Sequence, residues 1–136
     1  MVKALGIDYG KKRVCIAISD NEQIIASAFC TVNTSEFFIF LKELLKKEKV
    51  DCIVVGEPKN LDGSPTHSTK ITENFVTKLI QRYPNIIIKS IDERFTSKIA
   101  RQSILDAGTK KNKRRDKSLV DKVSAAIILQ SFLDAK

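Results

Sequence analysis

Leu5-Gly6-Ile7-Asp8-Tyr9-Gly10-Lys11-Lys12-Arg13 sets one carboxylate at the end of an apolar run. Val2, Ala4, Leu5 and Ile7 read as a short buried strand, which Asp8 interrupts before Gly10 lets the chain turn towards a second strand at Arg13. An ionised Asp in a buried strand costs roughly several kcal/mol unless a metal ion, a hydrogen-bond nest or a salt bridge compensates it. Taken alone, Asp8 is either a turn-capping residue or the first member of a functional site.

Outward from this stretch, residues 2–9, 13–20 and 24–32 read as three consecutive strands with short connections, an antiparallel meander. From Ser35 the apolar period changes. Phe37, Phe40, Leu41, Leu44 and Leu45 share one helical face, with Asn33, Thr34 or Ser35 available as N-cap. Cys52-Ile53-Val54-Val55 is a compact strand of the kind found inside a parallel sheet, and the Glu57–Pro65 segment after it is a loop by composition. A second helix spans Ser68 to Tyr83, with Ile71, Phe75, Leu79 and Ile80 as its expected buried face. Ile86-Ile87-Ile88 opens a last strand that ends at Asp92-Glu93-Arg94. Thr96 or Ser97 caps a third helix that Gly108 stops, and Ser118 opens a final helix through Leu133 with Val120, Val123, Ile127 and Leu133 inward. The order βββαβαβαα predicts an α/β fold: a mixed five-stranded sheet with helices on both faces, as a single domain over residues 1–136.

The charge balance points to a polyanion. There are 24 Lys plus Arg against 16 Asp plus Glu, a formal net charge of +8. The excess is concentrated in Lys110-Lys111-Asn112-Lys113-Arg114-Arg115-Asp116-Lys117, which puts six cations in eight positions. No apolar run approaches the roughly 18–20 residues of a membrane span, and no signal-peptide pattern opens the chain, so a cytoplasmic protein without membrane attachment is expected. Cys15, Cys30 and Cys52 lie in apolar strand-like runs and His67 is the one histidine, a poor donor set for structural zinc. Buried free thiols are the expected state.

Three acids fall where the predicted topology forms a common edge. Asp8 ends the first strand, Glu93 ends the last, and Asp121 lies in the first turn of the final helix. Gathered carboxylates repel one another, and divalent cations remove that cost. Oxygen-only ligands suit Mg²⁺ or Mn²⁺, and a pair of such ions supports phosphodiester hydrolysis. Simpler roles exist for each acid. Glu93 beside Arg94 can be a surface ion pair, and Asp121 can serve only the helix dipole.

The motifs carry a resemblance. Gly6-Ile7-Asp8-Tyr9-Gly10, Lys12-Arg13 and Ala17-Ile18-Ser19-Asp20 resemble the opening motif of the YqgF (RuvX) family. Val55-Gly56, Pro58, Asn60 and Asp62-Gly63-Ser64 are similar to its central loop, and Asp92-Glu93-Arg94 with Thr96 to its third motif. Lys117-Ser118, Val120-Asp121, Ser124-Ala125-Ala126 and Ile128-Leu129-Gln130 resemble its last. The four motifs occur in family order over essentially the whole chain. The resemblance implies an RNase H-like fold and a metal-dependent nuclease, ascribed to pre-16S rRNA maturation or to Holliday-junction resolution. It maps Asp8, Glu93 and Asp121 onto the family's acidic residues. One departure is Glu57, which replaces the usual apolar residue and is either a surface acid or a further metal ligand.

Around these acids, Lys11, Lys12, Arg13 and Arg94 are expected phosphate contacts. Asn60, Ser64 and Thr66 offer neutral hydrogen-bonding groups, and Lys113, Arg114 and Arg115 offer sequence-independent electrostatic binding. The leading expectation is a Mg²⁺- or Mn²⁺-dependent nuclease acting on an rRNA precursor. A DNA junction resolvase is the alternative within the same chemistry and requires a symmetric homodimer, where a monomer suffices for RNA. A catalytically silent nucleic-acid-binding factor is the alternative in another class.

Overall fold

A computed structural model describes residues 2–57, 67–92 and 117–135, with the backbone alone at residues 67–68, 92 and 117–123. The inner strands are buried in continuous runs, on both sides, so the sheet has two apolar faces. The strands are β1 (Lys3–Tyr9), β2 (Arg13–Ser19), β3 (Ala26–Asn33), β4 (Val50–Glu57) and β5 (Ile87–Asp92). They form one sheet in the order β3-β2-β1-β4-β5. β1 pairs antiparallel with β2 and parallel with β4, while β2–β3 is antiparallel and β4–β5 parallel. The mixed five-stranded sheet expected from the sequence is therefore present, and the carboxyl ends of β1, β4 and β5 share one edge.

The first face carries Leu5, Ile7, Val14, Ile16, Ile53 and Val55, and is covered by α1 (Phe37–Lys47) and α2 (His67–Arg82). Phe37, Leu41 and Leu44 of α1 and Phe75 and Leu79 of α2 fill that layer. The second face carries Ala4, Cys15, Ala17, Cys52 and Val54, and is covered by α3 (Lys117–Asp134) through Ala125, Ile128, Leu129 and Leu133. Helices lie on both faces, as the pattern predicted. The helix expected between Thr96 and Ala107 lies outside the described residues.

Local readings differ from the expectations along all three described helices. A 3₁₀ turn at Thr34–Glu36 precedes α1, and Asn33 makes no side-chain cap. Thr34 instead donates its hydroxyl to the Gly10 carbonyl at 2.7 Å, tying the start of α1 to the β1–β2 turn. On α2, Ile80 is 51% exposed, while Thr69 and Thr72 are buried. The buried stripe of α3 runs through 125, 128, 129 and 133, whereas Ile127 is only partly buried. The close approach of the Ala125 carbonyl and Leu129 to Gly6 turns Ile128, Leu129 and Leu133 to the sheet and leaves Ile127 at its side. The side chains of Val120 and Val123 lie outside the described residues. Cys15 and Cys52 are buried and Cys30 is partly buried, all as free thiols. Among the described residues, no helix is long and apolar enough to cross a membrane.

Candidate active site

Asp8 is the penultimate residue of β1 and stands opposite Cys15 of β2. It shares strand parity with Ala4 and Gly6, so it belongs to the face that α3 covers. Ile7 pairs with Val55 of β4, and the next step along both strands brings Asp8 level with Gly56, which carries no side chain. Asp8 is partly buried and has an interaction partner.

The position of α3 follows from one glycine. A Cβ built on Gly6 would lie 2.6 Å from the Leu129 Cβ and 2.8 Å from the Ala125 carbonyl oxygen. Only glycine admits that approach. At the other end, Gln130 accepts from the Ala26 N–H at 2.9 Å and donates to the Ile24 carbonyl at 3.0 Å. Ala26 pairs with Ser19, and the Ser19 hydroxyl accepts from the Ala4 N–H at 2.8 Å. The C-terminal half of α3 therefore lies over the start of β1, and its N-terminus is directed towards the carboxyl edge.

This orientation fixes the relation between two predicted acids. Position 121 is one helical turn ahead of Ala125, on the stripe 121–125–129 that crosses β1. Four residues of helix rise about 6 Å, and two residues of strand, from Gly6 to Asp8, rise about 6.6 Å. Ideal rises would bring the backbone at 121 to about the level of Asp8 on that sheet face. The positive end of the α3 dipole lies at that edge and favours anionic groups there.

Glu57 differs from the other acids. It ends β4, with the parity of Ile53 and Val55, and so belongs to the face covered by α1 and α2. It pairs in register with Asp92. Strand alternation separates Glu57 from Asp8.

The cationic turn is well anchored. Lys11, Lys12 and Arg13 are exposed, and the Lys12 carbonyl accepts from the Thr34 N–H at 3.0 Å. Gly10 is required here because a Cβ would meet the Arg13 carbonyl oxygen at 2.7 Å. Glu93, Arg94, Asn60, Ser64, Lys113, Arg114 and Arg115 lie outside the described residues. Among the described residues, no group of three or more His, Cys, Asp or Glu side chains is placed to hold a metal ion.

Sequence reasoning missed a second feature of this edge. Tyr9, one residue after Asp8, faces the opposite layer and stacks on Phe75, with ring centroids 4.1 Å apart. Burial raises the pKa of its hydroxyl, which stays protonated. Together with Phe38, Thr34, Asn74 and Lys78 these rings border a cleft of about 380 Å³. The Tyr9 and Phe38 rings were legible as apolar residues, but nothing in their spacing signalled a cavity.

Comparison with known proteins agrees with this architecture. Proteins named "Putative pre-16S rRNA nuclease" from Flavobacterium psychrophilum and Bacteroides fragilis are 48% and 44% identical to it, each over 100% of this chain and 99% of its own length. Thermus thermophilus RuvC, solved with a Holliday junction substrate, superposes with a TM-score of 0.59 at 14% identity, covering 99% of this chain and 95% of its own. The Fowlpox virus resolvase, solved with junction DNA, gives 0.55 at 12% identity and 98% coverage of each chain. At these identities the two structures show the fold, which is the RNase H-like one that the family resemblance implies. The family model described as "RuvX: Holliday junction resolvase" matches residues 2–135, and the chain belongs to that family.

Proposed function

We propose that this protein is a divalent-metal-dependent endonuclease that hydrolyses phosphodiester bonds in nucleic acid, processing the 5′ end of pre-16S rRNA. The observation that supports the reading is the place of Asp8 at the carboxyl edge of the sheet, on the face that α3 covers. The names of the full-length relatives favour the rRNA precursor as substrate. In this reading residues 1–136 work as one domain, in the cytoplasm, where the precursor is made.

Asp8, Glu93 and Asp121 supply the ligand set. Glu93 directly follows Asp92, the last residue of β5. A set of three carboxylates matches the oxygen preference of Mg²⁺ or Mn²⁺. When bound, the cations lower the pKa of water and offset charge on the leaving oxygen. The protein's own groups do the rest. Lys11, Lys12, Arg13 and Arg94 hold phosphate oxygens beside the acids, Asn60 and Ser64 donate to the sugar–phosphate chain, and Lys113, Arg114 and Arg115 raise affinity without reading sequence.

Junction resolution is the second reading, favoured by the family description and by the RuvC-like fold. It needs two active sites at fixed separation, whereas RNA processing works in a monomer. The deciding experiment offers precursor rRNA and a four-way junction to the wild type and to Asp8→Asn with Mg²⁺ or Mn²⁺. Metal-dependent cleavage of the RNA alone, lost in the variant, is expected. Paired symmetric cuts in the junction would replace the substrate. Binding of both without cutting either would leave a silent nucleic-acid-binding factor.

A further inference from the structure

Asp8 and Tyr9 are neighbours in sequence, but strand alternation sends them to opposite faces of the sheet, so the carboxyl edge of β1 serves two layers. On the α1–α2 side the cleft of about 380 Å³ opens beside Tyr9. Its size lies within the roughly 300–1,000 Å³ range of ligand sites. Three aromatic rings, Tyr9, Phe38 and Phe75, form its apolar side together with Ile71. Tyr9 and Phe38 each keep part of their surface accessible. The polar side holds the Thr34 hydroxyl, the Asn74 amide and the Lys78 ammonium, and none of the described lining residues is a carboxylate. The Arg82 guanidinium sits 4.3 Å from the centroid of Phe38.

We propose that this cleft is a subsite for one unpaired nucleobase of the substrate strand, next to the scissile phosphate. The proposal rests on the nuclease reading and names the form of substrate that the edge accepts. Aromatic surface stacks a base whatever its identity, Asn74 can both donate to and accept from a base edge, and Lys78 matches the attached phosphate. The route between the two sites is continuous. Thr34, which lines the cleft, also holds the Gly10 carbonyl and donates its N–H to the Lys12 carbonyl, so the cationic turn spans from the Asp8 side to the cleft mouth. A strand crossing the edge would leave its phosphate at Asp8, pass Lys11 and Lys12, and insert its neighbouring base beside Tyr9. Bases paired within a duplex arm are not free to enter, so the subsite selects single-stranded segments.

The test uses the full-length protein carrying Asp8→Asn, to prevent cleavage, and single-stranded RNA oligonucleotides of precursor sequence. An abasic nucleotide is placed at each position in turn, and affinity is read by fluorescence anisotropy. Affinity should fall about tenfold at one position only, as expected for one lost stacking contact. Adding Asn74→Ala and Lys78→Ala should weaken the intact oligonucleotide and shrink the difference at that position, because the base loses its polar partners in the cleft. Both residues are exposed on α2, so the fold should tolerate the change. Equal affinity at every abasic position, the same positional loss in the doubly changed cleft, or no binding of the RNA at all would overturn the subsite. The nuclease reading fails separately: a wild type that cuts nothing yet keeps the single-position loss would leave the subsite standing.

Discussion

Gly6 and Leu129 meet where α3 crosses β1, and the hydrogen of Gly6 sets the height of the helix above the sheet. A Cβ there would stand 2.6 Å from the Leu129 Cβ and 3.3 Å from its Cα. Neither atom is the free end of a flexible side chain, so relief requires the helix to move. Because α3 also carries Asp121, the proposed ligand beside Asp8, the same contact would bear on both stability and the spacing of the two proposed ligands.

Gly6→Ala should therefore destabilise the protein by about 1–3 kcal/mol, the usual cost of overpacking. Urea unfolding measures this. Catalysis under conditions where the variant remains folded should fall further than the unfolded fraction explains, because the lifted helix separates Asp8 from position 121. A variant as stable and as active as wild type would mean that α3 packs less closely than described.

The two carboxylates on neighbouring strands, Asp8 and Glu57, should behave differently. Outer contacts to metal ligands typically cost 10- to 100-fold when removed, so loss of a direct ligand in Asp8→Asn should exceed about 100-fold in cleavage. Glu57→Gln should stay within about twofold of wild type and keep its dependence on metal concentration, because β4 alternation directs it to the face opposite Asp8. A raised metal requirement in Glu57→Gln would return this residue to the ligand set.

The loop between β2 and β3 should titrate through Asp20. Its carboxylate accepts from the N–H groups of Ile24 at 2.7 Å and Ile25 at 3.1 Å. The bonds from Ile25 and Ile24 lower its pKa below the ordinary value. A depressed folded-state pKa adds stability that is present above the unfolded value of about 3.9 and is lost as pH falls through the folded one. Thermal unfolding should show Asp20→Ala less stable than wild type near neutrality, with the gap narrowing below about pH 4. A gap that is constant with pH would assign the loss to packing.

The fold was legible because two signals were unambiguous. Period-2 runs such as Val14–Ile18 and the compact Cys52–Val55 strand define inner strands, and a helical period after Ser35 defines α1. The face of α3 was not legible by the same method. Its apolar residues lie on nearly every side, so hydrophobicity could not orient it, and the deciding fact was the close approach of the Ala125 carbonyl and Leu129 to Gly6. Asn33 illustrates another limit: it is a good cap by residue type, yet the neighbouring Thr34 hydroxyl is used for the Gly10 carbonyl and no side-chain cap forms. At the candidate site, the place of Asp8 at a strand end and of Asp121 in the last helix followed from sequence. Which face each strand-end acid belongs to did not, because that depends on register. Glu57 and Asp8 are separated by an alternation that becomes visible only once β1 and β4 are paired.

The basic run before α3 yields the last prediction. Residues 110–116 directly precede Lys117, the first residue of α3, whose N-terminus is directed to the carboxyl edge. Phosphate contacts release counterions and give the logarithm of affinity a linear dependence on the logarithm of salt concentration. Each contact on a single strand contributes about 0.7 to that slope, so neutralising Lys113, Arg114 and Arg115 together should flatten it by about 2 if all three touch phosphate. The change should be the same for RNAs of unrelated sequence, because phosphate contacts carry no base information. Anisotropy titrations from low to moderate salt measure it directly. A slope unchanged by the triple substitution would remove this run from the interface and leave binding to the Lys11–Arg13 turn and the groups around it.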